Sequence, residues 1–285
     1  VQGIAAWLVA RPQNAVLALA VTLLLPAPQL TSGVILVLLV LAQGARLAGI
    51  ETAVAAAALL AVSLFFGVST ASLLALMAAT WLPVALLAVL LLRTRSLTLT
   101  LQVSVIAACV CLAVFYVIVA DPAAFWQPYL VMMAEVFEQN NLQLNTELLS
   151  AEVMTVSVVL AMWMLYVVGL LLGYALYRRL PTETAALGQF QDLNFGRVLA
   201  FAMAVIALIA FIAGLQNTAY VLFVVFWIQG LAIVHWLHGK GRLPLAAVIA
   251  VYALLPFLQV LLMMALAVLG YVDAWFGFRR RMKMA

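Results

Sequence analysis

The sequence predicts an all-α protein, a polytopic transmembrane helical bundle of about 8–10 membrane segments. Three observations predict it. Of the 285 residues, 69% are hydrophobic and only 8% charged. A soluble domain carries about 25% charged residues, and so few polar groups cannot cover a water-facing surface of this size. The apolar residues fall into runs long enough to cross about 30 Å of hydrocarbon. Lys and Arg collect at the ends of those runs, on one side when the runs are drawn as alternating spans.

The elements follow in order. Residues 1–10 are apolar but short, lack the basic start of a signal peptide, and read as an interfacial lead-in closed by Arg11-Pro12. The block 15–42 is long for one span and short for two. Pro26 and Pro28 interrupt it, and Thr31-Ser32-Gly33 can restart a helix. A hairpin of two short helices, roughly 11–27 and 29–45, is the favoured reading; one long kinked helix is the alternative. Spans are then expected over 50–67, 70–92, 97–120, 151–177, 197–213 and 218–237. The last apolar block, 243–276, measures about 50 Å at about 1.5 Å per residue. It must bend, and Pro256 lies inside it.

Two connections stand out. The stretch 121–150 carries Asp121, Glu135, Glu138 and Glu147 and no Lys or Arg, with Phe125, Trp126 and Tyr129 near its start. It reads as an acidic extracytoplasmic connection holding an interfacial helix with an aromatic anchor. The stretch 178–196 starts at Arg178-Arg179 and reads as a cytoplasmic connection with a short in-plane helix. The basic tail, 277–285, falls outside if 243–276 is one span. It falls inside, with every other Lys and Arg, if Pro256 makes a re-entrant pair. The whole chain, 1–285, is read as one integral membrane domain, and the bias of the basic residues points to a bacterial inner (cytoplasmic) membrane, multi-pass.

Enzyme signatures are missing. There is no phosphate loop, no His-Glu-x-x-His pair and no nucleophile elbow. No catalytic residue, cofactor or metal is expected. Cys109 and Cys111 point to nearly opposite faces of a helix and read as small apolar fillers. His235 and His238 share a helix face at the end of a span, where solvation at the interface is the simpler reading. Basic residues are too scattered for nucleic acid.

What remains is a set of polar residues in or beside the spans: Gln43, Gln102, Gln216, Asn217, Gln229, Gln259 and Asp273. Polar groups in hydrocarbon need partners. Hydrogen bonding between helices is one reading, and a ligand cavity lined by Gln229, Gln259, Asn217 and Gln43 is the other. The breaks at Pro26/Pro28 and Pro256 support the second, because broken helices expose backbone groups that bind solutes near the midplane. Asp273 is expected to pair with a tail arginine.

The C-terminal third carries a resemblance. Asn217, the run from Trp227 to His235, and the ending from Gly270 to Arg279 resemble the YybS-like bacterial membrane proteins, a domain of unknown function. The N-terminal pattern closing on Gln43-Gly44-Ala45-Arg46 is similar too. The family's ending has Asp where this chain has Gly277. That family is in turn distantly similar to the S components of energy-coupling-factor transporters. This likeness implies capture of a small solute and docking on a membrane coupling subunit with ATPases. The expectation is therefore transporter-like binding of a small solute in a helical cavity. The alternative is a non-transporting accessory or scaffold protein for another membrane protein or lipid, since many ion-coupled carriers need charges deep in their spans.

Overall fold

The computed structural model describes residues 2–140, 150–180, 186–214, 219–279 and 282. Among these residues the chain folds into twelve α-helices and no β-strand. Six helices are long and apolar enough to cross a bilayer: Ala45–Phe66, Thr70–Thr94, Leu97–Ile118, Ala151–Tyr177, Ala219–Gly239 and Gln259–Phe276. Three shorter apolar helices accompany them among the described residues: Pro28–Gln43, Gly196–Ile212 and Leu245–Leu254. Packing divides the chain into two compact units.

Unit 1 comprises Val1–Ser104 and Trp163–Gly188. It holds α1 (Gln2–Ala10), α2 (Pro12–Leu23), α3 (Pro28–Gln43), α4 (Ala45–Phe66) and α5 (Thr70–Thr94). It also takes the start of α6 (Leu97–Ile118) and the end of α8 (Ala151–Tyr177). The chain turns through 112° between α1 and α2. Arg11 is extended there, and Pro12, with no N–H to lose, starts α2. Pro26 follows α2, Ala27 takes a left-handed conformation, and Pro28 opens α3. The first block is thus a hairpin. Its arms are joined by the Ser32 hydroxyl donating to Leu19 O at 3.1 Å and the Thr31 hydroxyl donating to Thr22 O at 2.8 Å. Every residue from Ile35 to Leu41 is buried, so α3 has no solvent or lipid face over that stretch and forms the axis of the unit.

The end of α8 packs on α3 through Gly169 and Gly173, a small-xxx-small pair. A Cβ at Gly173 would stand 2.5 Å from Val37 Cβ and 2.8 Å from Val34 O. Pro83 lies inside α5 and cannot donate to the carbonyl of Ala79. The Tyr166 hydroxyl donates to that carbonyl at 2.6 Å. Gly44, at φ +89°, joins α3 to α4 with no intervening loop. α4 therefore begins at Ala45 rather than at residue 50, and Arg46 and Glu51 belong to its first turns.

Unit 2 comprises Val105–Met162 and Gln189–Ala285. It holds the rest of α6, α7 (Pro122–Gln139), the start of α8, α9 (Gly196–Ile212), α10 (Ala219–Gly239), α11 (Leu245–Leu254) and α12 (Gln259–Phe276). Asp121 caps α7 by accepting from Ala124 N at 3.0 Å, and Pro122 starts it. No residue of α7 is buried. Its aromatic residues gather with Phe115 of α6, and the Phe125 and Trp126 rings meet edge to face at 5.0 Å. A helix resting at an interface has this character.

α10 is the axis of unit 2 and crosses α12 at two glycines. A Cβ at Gly230 would run into the Leu266 carbonyl oxygen, and one at Gly270 into that of Phe226. Pro256 falls in the break between α11 and α12, the second of the two interrupted blocks. Past α12 the chain returns to the α10–α11 turn, where Arg242 Nη1 donates to Met282 Sδ at 2.9 Å.

Candidate functional site

The polar centre of unit 2 is built on the α10–α12 crossing. Asp273 and Gln229 are each 0% exposed and Arg279 is 5% exposed. The Arg279 guanidinium grips Asp273 Oδ2 through Nη2 at 2.6 Å and Nε at 3.0 Å. It also donates to two backbone carbonyls of the preceding connection, Gln191 O at 2.8 Å and Leu193 O at 2.6 Å. Gln229 completes the node. Its amide nitrogen donates to Asp273 Oδ2 at 3.1 Å and its oxygen accepts from Phe195 N at 2.9 Å. A planar guanidinium suits this task, because its donors can serve a carboxylate and carbonyls at once. The node ties the 190–195 connection and the C-terminal segment to the two central helices. Leu187, Leu193 and Phe195, apolar residues of the connection, are buried.

The expected pairing of Asp273 with a tail arginine is present, and its partner is Arg279. Gln229 lies midway along α10 and has both ends of its amide engaged by protein. Gln259 is the first residue of α12, exposed, just past the Pro256 break. Gln43 ends α3 in unit 1, and with its amide turned so that the nitrogen faces the Glu51 carboxylate it donates to Oε2 at 3.0 Å and Oε1 at 3.1 Å. Asn217, like Gln216, lies outside the described residues. Gln43 and Gln229 thus belong to different packing units.

Glu51 is 2% exposed in α4 and was no part of the expected site. The signal was in the sequence: a single acid a few residues into an Ala-rich run, with Gln43 just before the glycine corner. His235 Nε2 meets the Tyr252 hydroxyl at 2.8 Å and His238 Nδ1 meets Leu243 O at 3.0 Å. Among the described residues no group of three His, Cys, Asp or Glu is placed to hold a metal ion.

A second feature of unit 2 had no counterpart in the expectations. An apolar groove of about 300 Å³ runs between α6, α9 and α10. Cys109 and Met203 meet at 3.9 Å, midway along α6 and α9. Tyr116 lies near the end of α6, and Ala213 just past α9. Ala113, Ala207 and Ala210 hollow its walls, and Leu112, Ile206 and Val221 line the rest. Such a volume is at the low end for small-molecule sites. Tyr116 brings a hydroxyl to this lining. Its oxygen is buried against the Thr155 side chain. The Thr155 hydroxyl is already occupied, donating to Ala151 O and accepting from Trp126 Nε1 at 2.8 Å each. Sequence alone could not single out the groove, because alanines at helical spacing occur throughout this chain.

A family model described as predicted membrane protein (DUF2232) matches residues 125–274, and the chain belongs to that family. The match takes in Gln229, Asp273, and the α9 and α10 walls of the groove. No curated protein and no solved structure matches the chain.

Proposed function

We propose that this member of the DUF2232 family is a non-catalytic, non-transporting accessory protein of the bacterial inner membrane that binds a lipid from the surrounding bilayer. The observation that carries the reading is the division of labour in unit 2. Its buried charged and amide groups are committed to one another, while the groove is hydrocarbon-lined apart from the Tyr116 hydroxyl. A polar solute would find no unsatisfied partner at Gln229. A hydrocarbon chain would fill the groove with dispersion contacts and leave nothing polar unpaired along most of its length.

The test is native mass spectrometry of the protein released from membranes in a mild neutral detergent. One lipid is expected on the wild-type chain. Ala210→Trp and the milder Ala207→Phe, which fill the groove, should remove it while circular dichroism reports an unchanged helix content. Adducts that persist in both variants would overturn the reading.

Capture of a polar solute, which the S-component resemblance implies, is the rival. The Pro256 break beside Gln259 speaks for it. Thermal-shift screening against vitamins and nucleobases separates the two, since a ligand that binds only the folded state raises the unfolding temperature. A solute that stabilises the wild type and not Gln259→Ala would favour the rival.

A further inference from the structure

Unit 1 buries a carboxyl that the lipid-binding reading does not use. Glu51, in the second turn of α4, is 2% exposed. An ionised carboxyl is costly away from water unless a cation pairs with it. Among the described residues no cation is placed to do so. α4 packs against α2, α3 and α5. α1, α2 and α3 contain no Lys, Arg, His, Asp or Glu. Arg11 before α2, Arg46 in the first turn of α4, and Arg93 and Arg95 at the end of α5 are exposed, and none forms an ion pair with Glu51. What Glu51 meets is the Gln43 amide, which stands within 3.1 Å of both carboxyl oxygens. The other end of that amide faces Val9 O, in the last turn of α1, at 3.4 Å. The last carbonyls of a helix have no donor within the helix, and Val9 O is one of them.

The two orientations of the Gln43 amide match two states of Glu51. An ionised carboxylate only accepts, so the amide nitrogen must face it, and the amide oxygen is left against Val9 O, acceptor to acceptor. A protonated carboxyl reverses the arrangement. Its O–H donates to Gln43 Oε1, and Gln43 Nε2 donates to Val9 O, so that each group has a partner and no charge is buried. We propose that Glu51 is a proton-binding site: protonated, it sets the Gln43 amide to hold the end of α1, and ionisation turns the amide and releases that end. The hydrogen bonds of the protonated state run in one direction, from α4 through α3 to α1. α1 is free to respond because the 112° turn at Arg11 separates it from α2. The Asn14 amide, which donates to Trp7 O at 2.7 Å, stays in place in both states, so ionisation loosens α1 rather than detaching it.

The experiment uses the full-length chain in lipid nanodiscs and two readouts. Infrared difference spectra should show a protonated-carboxyl C=O band at neutral pH. The band should vanish in Glu51→Gln and on titration to about pH 10, past the range of roughly 8–9 in which buried glutamates ionise. Hydrogen exchange of residues 2–10, read by mass spectrometry and corrected for the intrinsic pH dependence of exchange, should accelerate about fivefold over the same rise, the equivalent of about one hydrogen bond. Glu51→Gln replaces the acid by a neutral amide that donates to Gln43 Oε1, so its exchange should stay slow at both pH values. Glutamine matches glutamate in size, and an unchanged thermal unfolding midpoint verifies the fold. Gln43→Leu should keep the Glu51 band and exchange fast throughout. A wild type without the band at neutral pH would overturn the proposal. So would a Glu51 titration that leaves the exchange of residues 2–10 unchanged, or a pH response that persists in Glu51→Gln.

Discussion

Units 1 and 2 meet the same physical requirement in different ways. Neither hydrocarbon nor protein interior can hydrogen-bond a stranded polar group. Unit 1 disperses its solutions. Trp81 donates to the Ser32 hydroxyl at 2.7 Å, Trp163 to the Ser104 hydroxyl at 3.0 Å, and Tyr166 to the carbonyl freed by Pro83. The Tyr174 hydroxyl donates to Gly188 O at 2.8 Å and accepts from Leu187 N at 3.1 Å. Each is a neutral bond between two elements. Unit 2 adds to neutral bonds of the same kind, Trp126 to Thr155 and His235 to Tyr252, one buried ionic node, Asp273–Arg279 with Gln229, and leaves an apolar groove beside α10. Dispersed neutral bonds make a unit that tolerates the loss of any one. A single ionic node makes a unit whose packing depends on one residue pair, while the groove lies apart from the node's residues.

That contrast breaks first at the node. Arg279→Ala strands a buried carboxylate, and removing one partner of a buried pair costs about 3–5 kcal/mol. The expected result is a large fall in the thermal unfolding midpoint in detergent, with Asp273→Ala similar. The double variant Asp273→Leu with Arg279→Met should recover much of the loss. If each single change lowered the midpoint no more than a neutral-bond variant of unit 1, the ionic node would have no special status.

The next effect belongs to the helix crossing. Gly270→Val places a methyl group against the Phe226 carbonyl, and overpacking of this kind costs about 1–3 kcal/mol. Separation of α10 from α12 would be visible as loss of a disulfide engineered across the crossing. The smallest effects are expected in unit 1. Tyr166→Phe leaves the Ala79 carbonyl unpaired, and Trp81→Phe releases Ser32. Each should cost about 0.6 kcal/mol, the average for such bonds between membrane helices. A loss from either as large as from Arg279→Ala would contradict the comparison.

The long spans were legible because their signal is the length of an apolar run, a property each segment carries alone. The hairpin at Pro26/Pro28 and the break at Pro256 were legible for the same reason, since proline acts on its own backbone. The start of α4 was not. Arg46 suggested a loop, but Gly44 at positive φ turned the chain in one residue and freed the next to be helical. Asp273 pointed to a tail arginine because the two lie within two helical turns. Gln229 drew notice as a lone amide in an apolar run, yet its partners, Phe195 N and Asp273, come from distant segments. The groove was beyond reach: it exists where α6, α9 and α10 fail to fill space, and no single residue reports a void.

The central claim is that unit 2 carries a lipid in the groove between α6, α9 and α10. The most direct measurement is a cryo-electron microscopy map of the protein in lipid nanodiscs. The account predicts continuous tubular density from the level of Cys109 and Met203 to the Tyr116 hydroxyl, absent in Ala207→Phe. An empty groove, or one closed by collapse of α9 onto α6, would contradict it.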